Sequence, residues 1–113
     1  MDILIDTHIF LWLAGAPEKI NKKHMQLLEN LNNNIYLSVI SIVEIMIKKS
    51  IENLHFDADI LELLDQMGIE VLNFDIKSAL LLEKLPLHHK DPFDRMIIAQ
   101  AISNNYKIIT ANN

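Results

Sequence analysis

The sequence predicts an α/β fold: a three-layer sandwich with a central parallel sheet of about four strands flanked by helices. Short apolar runs alternate along the chain with segments of helical periodicity, which is typical of a parallel sheet covered by helices. The predicted strands are almost continuously apolar, as expected when both faces of a sheet are buried. The chain has 113 residues and is 50% hydrophobic, which predicts a single domain over 1–113.

The order of elements follows from the spacing of apolar residues and from the residues that end helices. Residues 15–17 end the first helix, an asparagine-rich turn over 30–34 ends the second, and Gly68 ends the fourth. The predicted elements are strands over 2–6, 35–39, 69–72 and 107–110, and helices over 7–14, 20–31, 41–50, 57–67, 75–85 and 92–104.

Composition excludes several classes of protein. The chain has no cysteine, so it can form neither a disulfide framework nor a thiolate zinc site. No apolar segment has the length and composition of a membrane span or a signal peptide, and we expect a soluble cytoplasmic protein. The net charge is −5, so the chain lacks the basic footprint of a typical nucleic-acid-binding protein. A nucleic-acid function therefore requires acids that cluster and are neutralised by a metal ion.

Three acidic residues fall where a parallel sheet binds its ligands, at the C-terminal ends of strands. Asp6 closes the first strand, Glu44 is predicted in the first turn after the second strand, and Asp94 in the first turn of the helix before the fourth strand. If these three strands are neighbours, the carboxylates converge at one end of the sheet. Two bare carboxylates about 4 Å apart repel by roughly 4 kcal/mol at an effective dielectric near 20, so such a group needs protons or a cation. Oxygen ligands without cysteine suit Mg²⁺ or Mn²⁺, which can activate water against a phosphodiester.

Each of these acids also has a structural explanation. Asp6 can be the N-cap of the first helix. Ser41 and Glu44 have the spacing of a capping box, in which Glu44 binds the backbone of Ser41. Asp91 can cap the helix over 92–104, with Asp94 in its first turn. Capping and catalysis are compatible, and the spacing alone leaves the choice between them open.

Three segments carry a more specific pattern: ILIDTH over 3–8, SIVEIMIK over 41–48 and LPLHHKDPFDRMIIAQA over 85–101. They resemble PIN-domain proteins, particularly the VapC-like toxins of bacterial toxin–antitoxin pairs. The likeness covers nearly the whole chain, and its most specific part is 89–101. The resemblance implies a Rossmann-like sandwich and an endoribonuclease that depends on Mg²⁺ or Mn²⁺. It also implies an RNA substrate, a homodimer and inhibition by a cognate antitoxin.

The resemblance also assigns roles to individual residues. The family's catalytic and metal-binding acids correspond to Asp6, Glu44 and Asp94. Thr7 corresponds to an outer ligand, and Asp91 to an accessory acid.

Two features depart from the family pattern. Asn112 stands where the family commonly has an aspartate, and an amide oxygen brings no charge to a second ion. The family also continues with a further helix and strand, which we expect to be missing here. Both features favour the alternative of a catalytically weak or inactive PIN-like binding or assembly module.

Several other residues allow more than one interpretation. Lys48 can pair with Glu44 at i, i+4, lie on a solvated face, or contact an RNA phosphate, and Arg95 presents a similar choice. The adjacent histidines at 88–89 are more typical of a solvated loop than of metal ligands. A phosphatase of the haloacid dehalogenase type fits poorly, because His8 occupies the position of its second aspartate.

Overall fold

The computed structural model describes residues 1–51, 54–86 and 91–111. Its elements are β1 (Asp2–Ile5), α1 (Thr7–Gly15), α2 (Lys22–Glu29), β2 (Asn34–Ser38), α3 (Val39–Ile51), α4 (Ile60–Met67), β3 (Ile69–Leu72), α5 (Ile76–Leu81), α6 (Pro92–Asn104) and β4 (Lys107–Ile109), with short 3-10 helices at Pro17–Lys19 and Leu82–Lys84. The four strands form one parallel sheet in the order β3-β2-β1-β4, flanked by helices, which confirms the predicted fold class.

The central strand β1 determines where the ends of the strands meet. Its residue Ile5 is in register with Leu37 of β2 on one side and with Ile109 of β4 on the other. Because the strands are parallel, the C-terminal ends of these three strands share one edge of the sheet. The chain therefore enters α1 and α3 and leaves β4 at the same edge.

Successive residues of a strand point to opposite faces of the sheet, so the apolar residues of β1 reach a core on each face. The prediction that every strand is buried on both faces is wrong at the edge strand β3, where Glu70 and Val71 are exposed. Ile3 and Ile5 belong to the larger core, whereas Leu4 lies in the smaller core with Ile97 and Ala101 of α6. Full burial of one such side chain contributes about 1.5–3 kcal/mol, so both clusters hold helices onto the sheet. Within the described ranges, every helix is too short or too polar to cross a membrane.

The predicted start of α4 and end of α5 are wrong by three and four residues, but the difference that affects the site is at the start of α3. This helix begins at Val39, two residues earlier than predicted, and Ser38 Oγ accepts a hydrogen bond from the Ile40 amide at 3.0 Å. Ser41 consequently lies inside the helix, and Glu44 lies in its second turn rather than its first. The predicted capping box between these two residues is therefore wrong.

Candidate active site

Asp6 is fixed at the end of β1 by main-chain contacts. Its amide donates to the Ile109 carbonyl at 3.0 Å. Its carboxylate accepts from the Ile9 amide on Oδ1 at 2.8 Å and from the Ala111 amide on Oδ2 at 3.1 Å. The predicted capping of α1 is confirmed, and the same contacts hold the carboxylate at the shared edge of the sheet.

Glu44 is almost completely buried, and protein donors contact both of its oxygens. Its side chain is 2% exposed. Thr7 Oγ1 lies 2.7 Å from Glu44 Oε1 and 2.9 Å from Ser41 Oγ. Because a hydroxyl has one hydrogen, Thr7 donates to Glu44 and accepts from Ser41. Lys48 Nζ donates to Oε2 at 2.8 Å, which confirms the predicted i, i+4 pair. These contacts offset the large cost of burying a carboxylate.

Asp91 and Asp94 occupy the start of α6. Asp91 Oδ1 accepts from the amides of Phe93 at 2.8 Å and Asp94 at 3.4 Å, so the predicted N-cap is confirmed. Pro92 takes a first-turn position, where its missing N–H has no intrahelical partner to lose. The cap sets the direction in which α6 begins and thereby the position of Asp94.

The charges of the predicted acids act on Asp94 and Asp6. The pKa of Asp94 is raised, mainly by burial and further by the charges of Asp91, Glu44 and Asp6. The pKa of Asp6 is also raised by burial, and the charge of Glu44 adds to this rise. Hydrogen bonds from the amides of Ile9 and Ala111 and the charge of His8 lower the pKa of Asp6, but by less. Each net rise means that the ionised form is disfavoured.

The predicted site residues offer the donor atoms that a divalent cation requires. Carboxylate oxygens and a threonine hydroxyl are the hard ligands that Mg²⁺ and Mn²⁺ prefer, and the mutual repulsion of the acids would be relieved by positive charge. Among residues 1–51, 54–86 and 91–111, however, no three acids or histidines are placed to hold one ion. The residues fit such an ion in chemistry and charge, and ligation requires side-chain movement.

The remaining predicted residues differ in how the structure places them. The Arg95 guanidinium donates to the carbonyl oxygens of Leu82 and Pro86, each at 2.9 Å, at the end of the second 3-10 helix. These contacts favour a structural role for Arg95 over an RNA phosphate contact. Asn112 and the histidines at 88–89 lie outside the described residues.

Three polar residues were not among the predicted site residues. Ser41 is fully buried beside Thr7, and His8 acts electrostatically on the acids. Gln100 is also fully buried, where it contacts Ser38 Oγ and donates to a carbonyl of the loop after β3, that of Asn73, at 3.1 Å. Its signal in the sequence was a polar residue among the apolar residues of a helix.

Comparisons with known proteins agree with this geometry. The profile of the PIN domain matches residues 3–113. The chain belongs to the PIN-domain family. One relative, Ribonuclease VapC22 of Mycobacterium tuberculosis, is 23% identical over 111 residues, which cover 96% of this chain and 85% of the relative.

Solved structures of three bacterial complexes are similar to this chain. VapBC2 from Rickettsia felis, bound to a DNA fragment from its promoter, has a TM-score of 0.70 and 22% identity over 100% of this chain and 89% of the other. A toxin–antitoxin complex from Klebsiella pneumoniae has a TM-score of 0.63 and 20% identity over 96% and 84%. DNA-bound VapBC from Salmonella typhimurium has a TM-score of 0.60 and 18% identity over 98% of each chain. These similarities confirm the fold.

Proposed function

We propose that this PIN-domain protein is a metal-dependent endoribonuclease and the toxin of a toxin–antitoxin pair, acting on RNA in the cytoplasm. One observation carries the proposal: Thr7, the residue after Asp6, donates to Glu44 Oε1 at 2.7 Å, and the charges of Glu44 and Asp6 both raise the pKa of Asp94. The name of the VapC22 relative, a ribonuclease, supports RNA as the substrate. The network around Glu44 supports an organised site.

In this proposal Asp6, Glu44 and Asp94 hold a Mg²⁺ or Mn²⁺ ion. Such an ion polarises a phosphodiester and lowers the pKa of bound water when it is present. Asp6 needs no large movement, because two main-chain amides already fix its carboxylate. Thr7 orients Glu44 through its hydroxyl, and Asp91 fixes the first turn that carries Asp94. An accessory role for Asn112 rests on the sequence alone.

We also propose an antitoxin partner and a homodimer. The similar solved structures are toxin–antitoxin complexes, which supports an antitoxin for this chain. Helix α3 has four exposed apolar residues, which supports association of two copies. They are Val43 (42% exposed), Met46 (44%), Ile47 (40%) and Ile51 (73%).

Cleavage of mixed RNA tests the catalytic proposal. The purified protein should cut RNA with Mg²⁺ or Mn²⁺ and should not cut it in EDTA. Glu44→Gln keeps the size of the side chain but loses its charge, so we expect cleavage to fall by about 100-fold or more, beyond the usual effect of outer-shell residues. Glu18→Gln is the control, because Glu18 is an exposed acid in the first 3-10 helix.

Three outcomes would contradict the proposal. Cleavage that persists in EDTA would show that the reaction needs no metal ion. If a folded Glu44→Gln protein cuts RNA at the wild-type rate, Glu44 is not part of the site. A folded wild-type protein that cuts no RNA with either metal would favour the alternative of an inactive PIN-like module.

A further inference from the structure

We propose that Lys48 is a built-in counter-ion that competes with the metal ion for Glu44. In this role it stabilises the metal-free protein and lowers the affinity of the site for the metal. The inference rests on the proposed metal-dependent function and adds a residue that sets how much metal this function requires.

The contact between Lys48 and Glu44 joins a mostly buried carboxylate to a flexible cation. Lys48 Nζ lies 2.8 Å from Glu44 Oε2, and the two side chains are 33% and 2% exposed, respectively. Because an unpaired carboxylate at this depth carries a large desolvation cost, the ammonium group stabilises the metal-free fold. Glutamate four residues before lysine is also the favourable order of such a pair on a helix.

The same contact opposes the binding of a divalent cation. Glu44 Oε1 accepts from Thr7 and Oε2 from Lys48, so a metal ion that binds Glu44 either displaces Lys48 or takes a remaining lone pair beside its ammonium group. If Lys48 is displaced, the favourable energy of the ion pair is subtracted from the energy of metal binding. If Lys48 stays in place, its ammonium group repels the doubly charged ion a few ångströms away.

The structure also shows how Lys48 can yield. Its side chain is partly exposed, and a lysine stem can carry its ammonium group into solvent while its methylenes stay packed. Glu44 stays oriented meanwhile, because Thr7 contacts its other oxygen. Among the described residues, no three acids or histidines are placed to bind one ion. This agrees with a Glu44 whose oxygens are held by protein donors until a metal ion replaces one of them.

Titration of Mn²⁺ into the RNA-free protein tests this inference by calorimetry at neutral pH. For Lys48→Met we expect the Kd for Mn²⁺ to fall by at least about tenfold, a change within the range usual for coupled sites. Lys48→Arg should keep a Kd near that of the wild type, because arginine retains the charge. Lys49→Met is the matched control, since Lys49 is exposed on the same helix.

Thermal unfolding gives a second measurement. In EDTA, Lys48→Met should melt at a lower temperature than the wild type, because Glu44 loses its counter-ion. Saturating Mn²⁺ should raise the melting temperature of Lys48→Met by more than that of the wild type. If Lys48→Met does not fold in EDTA, Lys48→Gln replaces it, because glutamine can still donate to Glu44 Oε2 without a charge.

The outcomes separate this inference from the proposed function. If the wild type binds Mn²⁺ and cleaves RNA, but the neutral variants bind Mn²⁺ no more tightly, the counter-ion role is wrong. Weaker RNA binding with unchanged Mn²⁺ affinity would instead assign Lys48 to a phosphate contact and overturn the inference. If the wild type binds no Mn²⁺, the inference and the metal-dependent function are both wrong.

Discussion

Thr7→Val removes the hydroxyl that links α1 to α3 while nearly preserving the shape of the side chain. In the folded protein this hydroxyl lies 2.7 Å from Glu44 Oε1 and 2.9 Å from Ser41 Oγ, and all three residues are buried. A hydrogen bond to a charged group contributes about 1.5–3 kcal/mol, and a buried polar group left without its partner costs about 1–3 kcal/mol. We therefore expect Thr7→Val to lower the free energy of unfolding by about 3 kcal/mol in EDTA.

Guanidinium unfolding in EDTA measures this loss. Thr7→Ser is the control, because it keeps the hydroxyl and removes one methyl group, at a cost of about 1 kcal/mol. Ser41→Ala should cost less in the Thr7→Val background than in the wild type, since the partner of its hydroxyl is already gone. If Thr7→Val is as stable as Thr7→Ser, the hydroxyl does not support Glu44 and the reasoning is wrong. RNA cleavage by Thr7→Val should also fall by about 10- to 100-fold, as for other residues that orient a ligand.

Three further predictions concern charge and association. Burial and neighbouring acids raise the pKa of Asp94, so its contribution to stability is present at low pH and is lost as pH rises through the folded pKa. In EDTA at neutral pH, Asp94→Asn should therefore melt above the wild type and gain less stability on mild acidification; identical pH profiles would contradict this. Ile47→Glu, on the exposed apolar side of α3, should convert a dimer to a monomer in sedimentation without changing the circular dichroism, and a persistent dimer would place the interface elsewhere. Because the chain carries ten basic residues against fifteen acidic ones, the affinity for single-stranded RNA should fall with salt at a log–log slope of about −2, equivalent to about three phosphates; a much steeper slope would reveal a basic surface.

The sheet and the caps were predictable because their determinants are local. Each strand is a short apolar run, and those of β1 are fully buried as predicted. Asp6 and Asp91 were recognisable as caps, because each precedes a helical segment by one residue. The strand order was not visible locally. It depends on packing between distant segments, and the convergence of the acids remained conditional until β1 was found between β2 and β4.

The start of α3 was mispredicted because two serines compete in an apolar stretch. Ser38 and Ser41 are both suitable caps, and the apolar residues between them suit the end of a strand as well as the start of a helix. The structure selects Ser38, whose hydroxyl also contacts the buried Gln100 of α6. This tertiary contact is absent from any local pattern, and the earlier helix start places Glu44 two residues deeper in the helix than expected.

The spacing of Lys48 predicted its partner but not the consequence of the pairing. An i, i+4 pair on a solvated helix face contributes only about 0.3–0.5 kcal/mol. Here Glu44 is 2% exposed, so removal of one partner leaves a buried charge and has a much larger effect. Burial of Glu44 results from packing of α3 against α1 and the sheet, which the sequence of α3 alone does not specify.

Capping and metal binding make compatible demands at this edge of the sheet. Parallel strands end where helices begin, and the partial positive charge of a helix N-terminus stabilises a nearby carboxylate. Asp6 and Asp91 each accept hydrogen bonds from main-chain amides there. The same aspartate can therefore stabilise the fold as a helix cap and serve as a ligand. The two demands conflict only in the number of acids, because the neighbouring carboxylates raise the pKa of Asp94. In the proposed counter-ion role, Lys48 offsets the negative charge of Glu44 in the metal-free protein. The proposal therefore expects a metal-free state that stays folded and in which the charges of Asp6 and Asp94 attract a cation.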